Sequence, residues 1–458
     1  MLGKTKVLHF VGVGGSGMSG LAEVLLNMGY QVTGSDVAVS QAVNHLKEMG
    51  ATITIGHSSK NIGKADVVVV STAVREDNPE VVEARSQLIP VIPRAQMLAE
   101  LMRMKYAICV AGTHGKTTTT SMAAVTLTKG GFDPTIVIGG RVDRFGSGAK
   151  LGKGEFLIAE ADESDGSFLR LYPTISVVTN IDVEHLDHYG NFDSLKKAFT
   201  EFINKTPFYG SSILCLDDES VREILPNVEK RFWTYGITSD ADVVASDLSF
   251  DEFKSSFSVN VSGKDLGRLT IGMPGVHNIY NALAAMAVGL ELDMDPQEVI
   301  ESLNGFAGIQ RRLQFKGEID GVMVLDDYGH HPTEIKATLC AIKEGFSDRR
   351  LIVVFQPHRY TRTRDLLTEF GVAFNDADDL VITEIYAASE QPIEGISGEL
   401  IMKEIAYNGQ KRVNFAKTNE DALQYLKENA LEGDIILTLG AGDVLQVGHK
   451  YLSMTSNI

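Results

Sequence analysis

One lysine and two glycine-rich loops set the chemistry open to this chain. In "CVAGTHGKTTTTSMAA" (Cys109 to Ala124), Lys116 and Thr117 follow a glycine and open a helical run. An amine placed there neutralises β- and γ-phosphate oxygens, and the neighbouring hydroxyl ligates magnesium. The loop Gly112, Thr113, His114, Gly115, with Thr118 beyond it, offers backbone amides to the remaining phosphate oxygens. Val110 stands where the eight-residue Walker pattern has its first glycine, so this is a variant of that pattern. In "FVGVGGSGMSG" (Phe10 to Gly20), Gly12, Gly14 and Gly17 fit G-x-G-x-x-G, with Gly15 and Ser16 between them and Asp36 ending the next strand. That is the dinucleotide fingerprint, in which glycines admit a diphosphate to a helix N-terminus and the acid takes a hydroxyl or base edge. Alone it points to a nicotinamide dehydrogenase. Beside a triphosphate loop, it is freed to hold the diphosphate of a substrate.

Further polar clusters follow apolar, strand-like runs. "LIAEADESDGSF" supplies Glu160, Asp162, Glu163 and Asp165, carboxylates of the kind that hard cations prefer. "TNIDVEHLDHYG" presents His185, Asp187 and His188, of which His185 lies a short loop beyond its strand and is placed for a metal or phosphate. "GVHNIYNALAA" sets Asn278 and Asn281 at i, i+3 on one helix face, where amides either read an adenine edge or cap the helix. "QRRLQF" puts Arg311 and Arg312 at a hinge, from which an arginine can reach a γ-phosphate on closure. "LDDYGHHPTE" and "FQPHRYTRTRD" bring Tyr328, His330 and His331 together with Arg359, Arg362 and Arg364, a set suited to a carboxylate because guanidinium pairs with it bidentately.

These residues need scaffolds, and the apolar pattern supplies three. "KVLHFVGV", "QVTGSD", "ATITIG" and "ADVVVVSTAV" alternate with helical runs, which predicts a doubly wound parallel sheet over 1–104. A second α/β block, 105–310, runs from "YAICVAG" through "EFLIAEAD", "ISVVTNID" and "SSILCLDD", then through small antiparallel strands in "ADVVASDLSFDEFKSSFSVNVSG" to the helix "NIYNALAAMAVGLEL". The pattern restarts over 311–458, where apolar strands carry polar loops at their carboxyl ends, the edge at which open α/β sheets bind ligands.

The 458 residues suffice for about three domains. A hydrophobic content of 44% with no apolar run of membrane length argues against membrane insertion. The start, "MLGKTKVLHFVGVGG", reads as a first strand and not an export signal. Cys109, Cys215 and Cys340 sit in apolar surroundings as expected for reduced thiols, which suggests the cytosol. A net charge of -18 disfavours nucleic acid, whereas a few local amides and cations suffice for a nucleotide.

Taken together, "GVGGSGMSG", "AGTHGKTTTT", "EADESD", "GVHNIYNALAA", "GIQRRLQ", "DDYGHHPTE" and "FQPHRYTRTRD" resemble the Mur ligase family along the whole chain. The resemblance implies a Rossmann-like N-terminal domain holding a UDP sugar, a P-loop central domain holding ATP, and a Rossmann-like C-terminal domain holding the incoming amino acid. It implies a cytoplasmic step of bacterial peptidoglycan synthesis, with UDP-N-acetylmuramate and L-alanine as substrates and ATP and Mg2+ as cofactors. By analogy Lys116 and Thr117 bind phosphate and magnesium, and Glu160 and His185 serve metal sites. Asn278 and Asn281 help seat ATP, Arg312 and Asp327 contribute from the hinge and third domain, and Tyr328, His330, Arg359 and Arg362 face the amino acid. One departure is "YAASEQP", where Ser389 replaces the usual glycine. The rival readings are a sister ligase that attaches a preformed tripeptide, a dehydrogenase and a nucleotide switch.

Overall fold

The apolar runs form three sheets. A computed structural model describes residues 3–71, 73–138, 149–388 and 390–454, except for the side chain of Ser16; Ser389 lies outside the described residues. The first sheet has the order Thr52–Ile55, Gln31–Asp36, Val7–Val11, Val67–Val70, Val91–Pro93, with every neighbouring pair parallel. The order reverses between Val7–Val11 and Val67–Val70, which opens a crevice at their carboxyl ends.

Among the described residues the second sheet has ten strands. At its centre Tyr106–Ala111 lies parallel between Ile175–Val178 and Phe156–Glu160. The alternating segment of the sequence forms Val243–Asp251, Lys254–Val261 and Lys264–Ile271, which extend this sheet at one edge. The third sheet runs Gln314–Ile319, Val322–Asp327, Ile435–Leu439, Leu351–Phe355, Asp379–Thr383, Val413–Ala416; only its first pair is antiparallel. Its four central strands bury both faces, as a sheet covered on each side must, while the edge strands Gln314–Ile319 and Val413–Ala416 are partly exposed. Leu325, Val353, Phe355 and Leu437 join one cluster, and their neighbours Val324, Ile352, Val354 and Ile436 join another.

Two compact units contain these sheets. One is Met1–Asp247, Phe257–Leu269 and Ile279–Phe306, and the other is Leu248–Ser256, Thr270–Asn278 and Ala307–Ile458. Within the first unit a continuous apolar cluster runs from Leu8 and Phe10 to Phe168, Phe199 and Phe202. Among the described residues no helix is long and apolar enough to cross a membrane.

The helix Lys116–Lys129 shows how packing overrides propensity. Its threonines are weak helix formers. Yet Thr118, Thr119, Thr120 and Thr126 are buried, and the hydroxyls of Thr120, Thr126 and Thr128 donate to the carbonyls of Lys116, Met122 and Ala124, one turn back. The hydroxyls of Thr120 and Thr126 are therefore satisfied where they are buried, and the helix can run through the core from Thr118 to Leu127.

Candidate active site

The first loop is closed by its own acid. Gly12 turns the chain at φ +76°, and the amides of Gly12 and Val13 donate to the Ser35 carbonyl at 2.9 and 3.0 Å. Asp36 Oδ2 accepts from the Gly14 amide at 2.7 Å, and Oδ1 accepts from Ala38 at 3.2 Å. The carboxylate thus shapes the loop that the sequence reading has it serve from beside a ligand. Gly15 caps the helix Ser16–Asn27, and Gly17 lies under Arg94, whose Nη1 would be 2.7 Å from an added Cβ. Arg94 Nη2 lies 3.5 Å from Asp162 Oδ2. Sequence reasoning missed this arginine, although "IPRAQ" at the end of the first block carried a signal in Pro93, a residue that opens helices.

The second loop begins where the strand Tyr106–Ala111 ends. Val110 is fully buried within that strand, which is why no glycine is needed there. Gly112 adopts φ +131°, and an added Cβ would lie 2.0 Å from Thr179 Oγ1, so this position is closed to any side chain. The amides of Thr113 and His114 donate to the carbonyl and Oδ1 of Asn180 at 3.1 and 2.8 Å, and Thr113 Oγ1 accepts from the Asp182 amide at 2.9 Å. His114 Nε2 pairs with Asp182 Oδ2 at 3.1 Å. Lys116 Nζ folds over the loop and donates to Gly112 O at 2.5 Å, Thr113 O at 3.0 Å and Glu163 Oε1 at 2.9 Å. Thr117 and Thr118 follow in the first turn of the helix. Asn281 packs on the loop from the helix Val276–Glu291, with its Oδ1 accepting from Thr119 Oγ1 at 3.0 Å.

Glu163 is the centre of charge here. Its side chain is 2% exposed, Oε1 takes Lys116, and among the described residues Oε2 has no hydrogen-bond partner. Burial pushes its pKa up to about 7 against the pull of Lys116. Burial would lower Lys116, but the carboxylates of Glu163, Asp162 and Glu184 outweigh it and hold the amine above its ordinary value. His185, at φ +58°, brings Nε2 to 3.9 Å from Glu163 Oε1 and 3.6 Å from Glu184 Oε2. Glu160 ends its strand opposite Val110 in the register. The structure thus joins Lys116 and His185 through Glu163, an acid visible in the sequence cluster but not singled out there.

In the second unit, Asp327 is buried and fully engaged, its two oxygens accepting from the amides of Leu313 and Gly329 at 2.7 Å each. Burial raises its pKa despite the charge of Arg312. Arg312 Nη1 lies 3.6 Å from Glu334 Oε1, and its guanidinium lies 5.7 Å from the centre of the Tyr328 ring. Asn278 donates to the Pro274 carbonyl at 2.8 Å, steadying the turn before its helix, while His277 beside it is driven down to about 4 by burial and by Arg312. His330 meets Tyr328 edge-on and lies 5.5 Å from His358, which stacks on Tyr386. Arg362 donates to His358 Nδ1 at 3.1 Å, and Arg359 stands at φ +73° with its amide on the Tyr386 carbonyl. Tyr328, His330, His358 and Arg362 are therefore linked in sequence, with Tyr386 stacked on His358 and the Arg359 backbone bonded to Tyr386.

Two phosphate-type loops in one unit and an arginine-histidine cluster in the other define the architecture of an ATP-using ligase. Three family models match in succession: Mur ligase family, catalytic domain, over 7–106; Mur ligase middle domain over 110–289; and Mur ligase, glutamate ligase domain, over 311–442. The chain belongs to the Mur ligase family. It is 57% identical over 450 residues to the UDP-N-acetylmuramate--L-alanine ligase of Geotalea daltonii, covering 98% of each chain, and 56% identical to that of a Geobacter species. A crystal structure of the corresponding ligase from Thermotoga maritima superimposes with a TM-score of 0.83 at 30% identity over 98% of both chains. A murein peptide ligase from Psychrobacter arcticus gives 0.74 at 25% identity over 99% of both.

Proposed function

We propose that this protein joins L-alanine to the lactyl carboxylate of UDP-N-acetylmuramate at the expense of ATP, in the cytoplasmic synthesis of peptidoglycan precursors. Residues 1–104 hold the sugar nucleotide, 105–310 hold ATP and 311–458 hold the amino acid. The observation that carries this reading is the presence of two phosphate loops in one compact unit, Gly12 to Gly17 and Gly112 to Thr118, of which only the second has a lysine. The names of relatives at 57% and 56% identity favour a single alanine over a preformed tripeptide.

An amine cannot displace oxide from a carboxylate, because oxide is a poor leaving group. Transfer of the γ-phosphoryl group from ATP to the carboxylate gives an acyl phosphate and ADP, and the neutral amine of alanine then adds to its carbonyl and expels phosphate, which carries off the proton the nitrogen loses. Lys116 neutralises the oxygens that gain charge during transfer, and the amides of Gly115 and of the first helical turn after it orient the phosphates. Arg312 adds positive charge from the hinge segment. Asn281 sets the loop against its helix, and Asn278 steadies that helix where it begins. Tyr328, His330, Arg359 and Arg362 receive the amino acid, the arginines pairing with its carboxylate. The donor set fits magnesium: Glu163 Oε2 is a buried carboxylate oxygen without a hydrogen-bond partner among the described residues, a group that hard cations satisfy. Thr117, Glu160 and His185 would hold the ion, which when bound supplies a Lewis acid for the phosphoryl oxygens.

The test is phosphate release from ATP with UDP-N-acetylmuramate present, comparing L-alanine, the preformed tripeptide and no acceptor. The reading predicts release only with L-alanine, together with ADP and a heavier sugar nucleotide. Release only with tripeptide moves the assignment to the sister ligase. Release that ignores the sugar nucleotide removes the ligase reading altogether.

A further inference from the structure

Glu163 presents an imbalance that the proposed reaction must resolve. It is a buried carboxylate whose ammonium partner among the described residues, Lys116, is also the cation that ATP phosphates require. When Lys116 Nζ moves to a phosphate, Glu163 loses that compensation in a place where an unpaired charge is strongly unfavourable. Its second oxygen already lacks a hydrogen-bond partner among the described residues. His185 Nε2, 3.9 Å away, is too distant to bond Oε1 and stands across a gap on the scale that a bridging ion spans.

We propose that Glu163 exchanges cations during the reaction: it holds Lys116 while the loop is without nucleotide, and becomes a ligand of the divalent ion once nucleotide draws Lys116 away. Its buried carboxylate is compensated at every stage, by the ammonium first and the metal afterwards. Binding of nucleotide and metal are thereby coupled through one side chain, because metal-free nucleotide must strip Glu163 of its lysine and leaves nothing in its place. Asp162 cannot substitute, since it is already engaged with the Ser164 amide at 3.1 Å and faces Arg94.

The inference rests on reading Gly112 to Thr118 as the ATP loop, and its test separates the two. Using the full-length chain, ADP affinity is measured by calorimetry in the presence of a chelator, and Mn2+ affinity by electron paramagnetic resonance with ADP saturating, in the wild type and in Glu163→Gln. The exchange predicts opposite shifts: metal-free ADP binds at least about threefold tighter, because Lys116 no longer leaves a carboxylate behind, and Mn2+ binds at least about tenfold weaker. Loss of both affinities together, as structural damage gives, or no change in either, overturns the proposal. If Glu163→Gln does not fold, Lys116→Met gives the converse test without nucleotide: Mn2+ binding at least about threefold tighter than in the wild type supports the exchange, and unchanged binding overturns it. A wild-type chain that binds no ADP with or without Mn2+ defeats the ATP reading itself, whereas wild-type binding with an unmoved Glu163→Gln defeats only the exchange.

Discussion

Gly115 shows how tightly single residues define the ATP loop. It sits at φ +82°, and an added Cβ would lie 2.5 Å from Asn281 Oδ1. Alanine there incurs two separate costs: about 1–2 kcal/mol for a left-handed backbone, and a further amount for displacing Asn281. Only the second is relieved by shortening the asparagine. Asn281→Ala alone forfeits its hydrogen bond from Thr119, worth about 0.5–1.5 kcal/mol. The double variant Gly115→Ala with Asn281→Ala is therefore expected to be more stable than the sum of the single losses allows. Denaturant unfolding of all four members of the cycle measures the coupling. Strict additivity would mean that the loop moves off the helix instead of pressing on it, and the packing argument for Asn281 would then be wrong.

Elements in the first sheet are bound together by one acid at the start of the helix Pro79–Ser86. Glu80 is fully buried and accepts from Ser35 Oγ at 2.6 Å, Asn61 Nδ2 at 2.7 Å and the Ser58 amide at 3.1 Å, with His9 Nε2 at 3.1 Å. Burial alone would raise its pKa, but these hydrogen bonds outweigh burial and hold it at about 2, against 4.5 when unfolded. A lowered folded pKa gives stability that is present above about 4.5 and lost as pH falls toward 2, at most about 3 kcal/mol. The denaturant midpoint should fall through that window, and Glu80→Gln should flatten this part of the slope; an unchanged slope in the variant would show that other carboxylates carry it. Nothing in the sequence marks Glu80, because its partners come from two strands and the turn 58–61. The strands themselves were legible, since sheets covered on both faces need unbroken apolar runs, and so were the loops that end them. Which acid of "EADESD" meets Lys116 was not, because that depends on the turn beyond Glu160. The stack of His358 on Tyr386 was equally hidden, since it depends on a parallel bridge between segments 28 residues apart in the chain.

At the scale of the whole molecule, the lysine-centred group and the arginine-histidine group lie in different compact units, while Asn278 and Arg312, assigned to the nucleotide, lie in the second. Lys116, Glu163, His185 and Asn281 belong to the first, and Tyr328, His330, Arg359 and Arg362 belong to the second. If the amino acid is recognised by the second group, a change there should alter alanine use without altering nucleotide affinity. Arg359 is the sharpest probe, because a guanidinium-carboxylate hydrogen bond is worth about 1.5–3 kcal/mol. At 1.4 kcal/mol per factor of ten, Arg359→Ala should raise the KM for L-alanine by about 10- to 100-fold. Its affinity for ADP with Mn2+ should stay within about twofold of the wild type, since no contact of that unit is needed to hold Lys116 over its loop. Steady-state kinetics with varied alanine and calorimetry with ADP supply the two numbers. An equal loss in both would mean that Arg359 serves the phosphates, and the amino-acid site would have to be sought elsewhere in the unit. Lost alanine use with intact nucleotide binding would instead place alanine recognition at the arginine-histidine group of the second unit, so that acceptor choice can change there while nucleotide binding stays fixed.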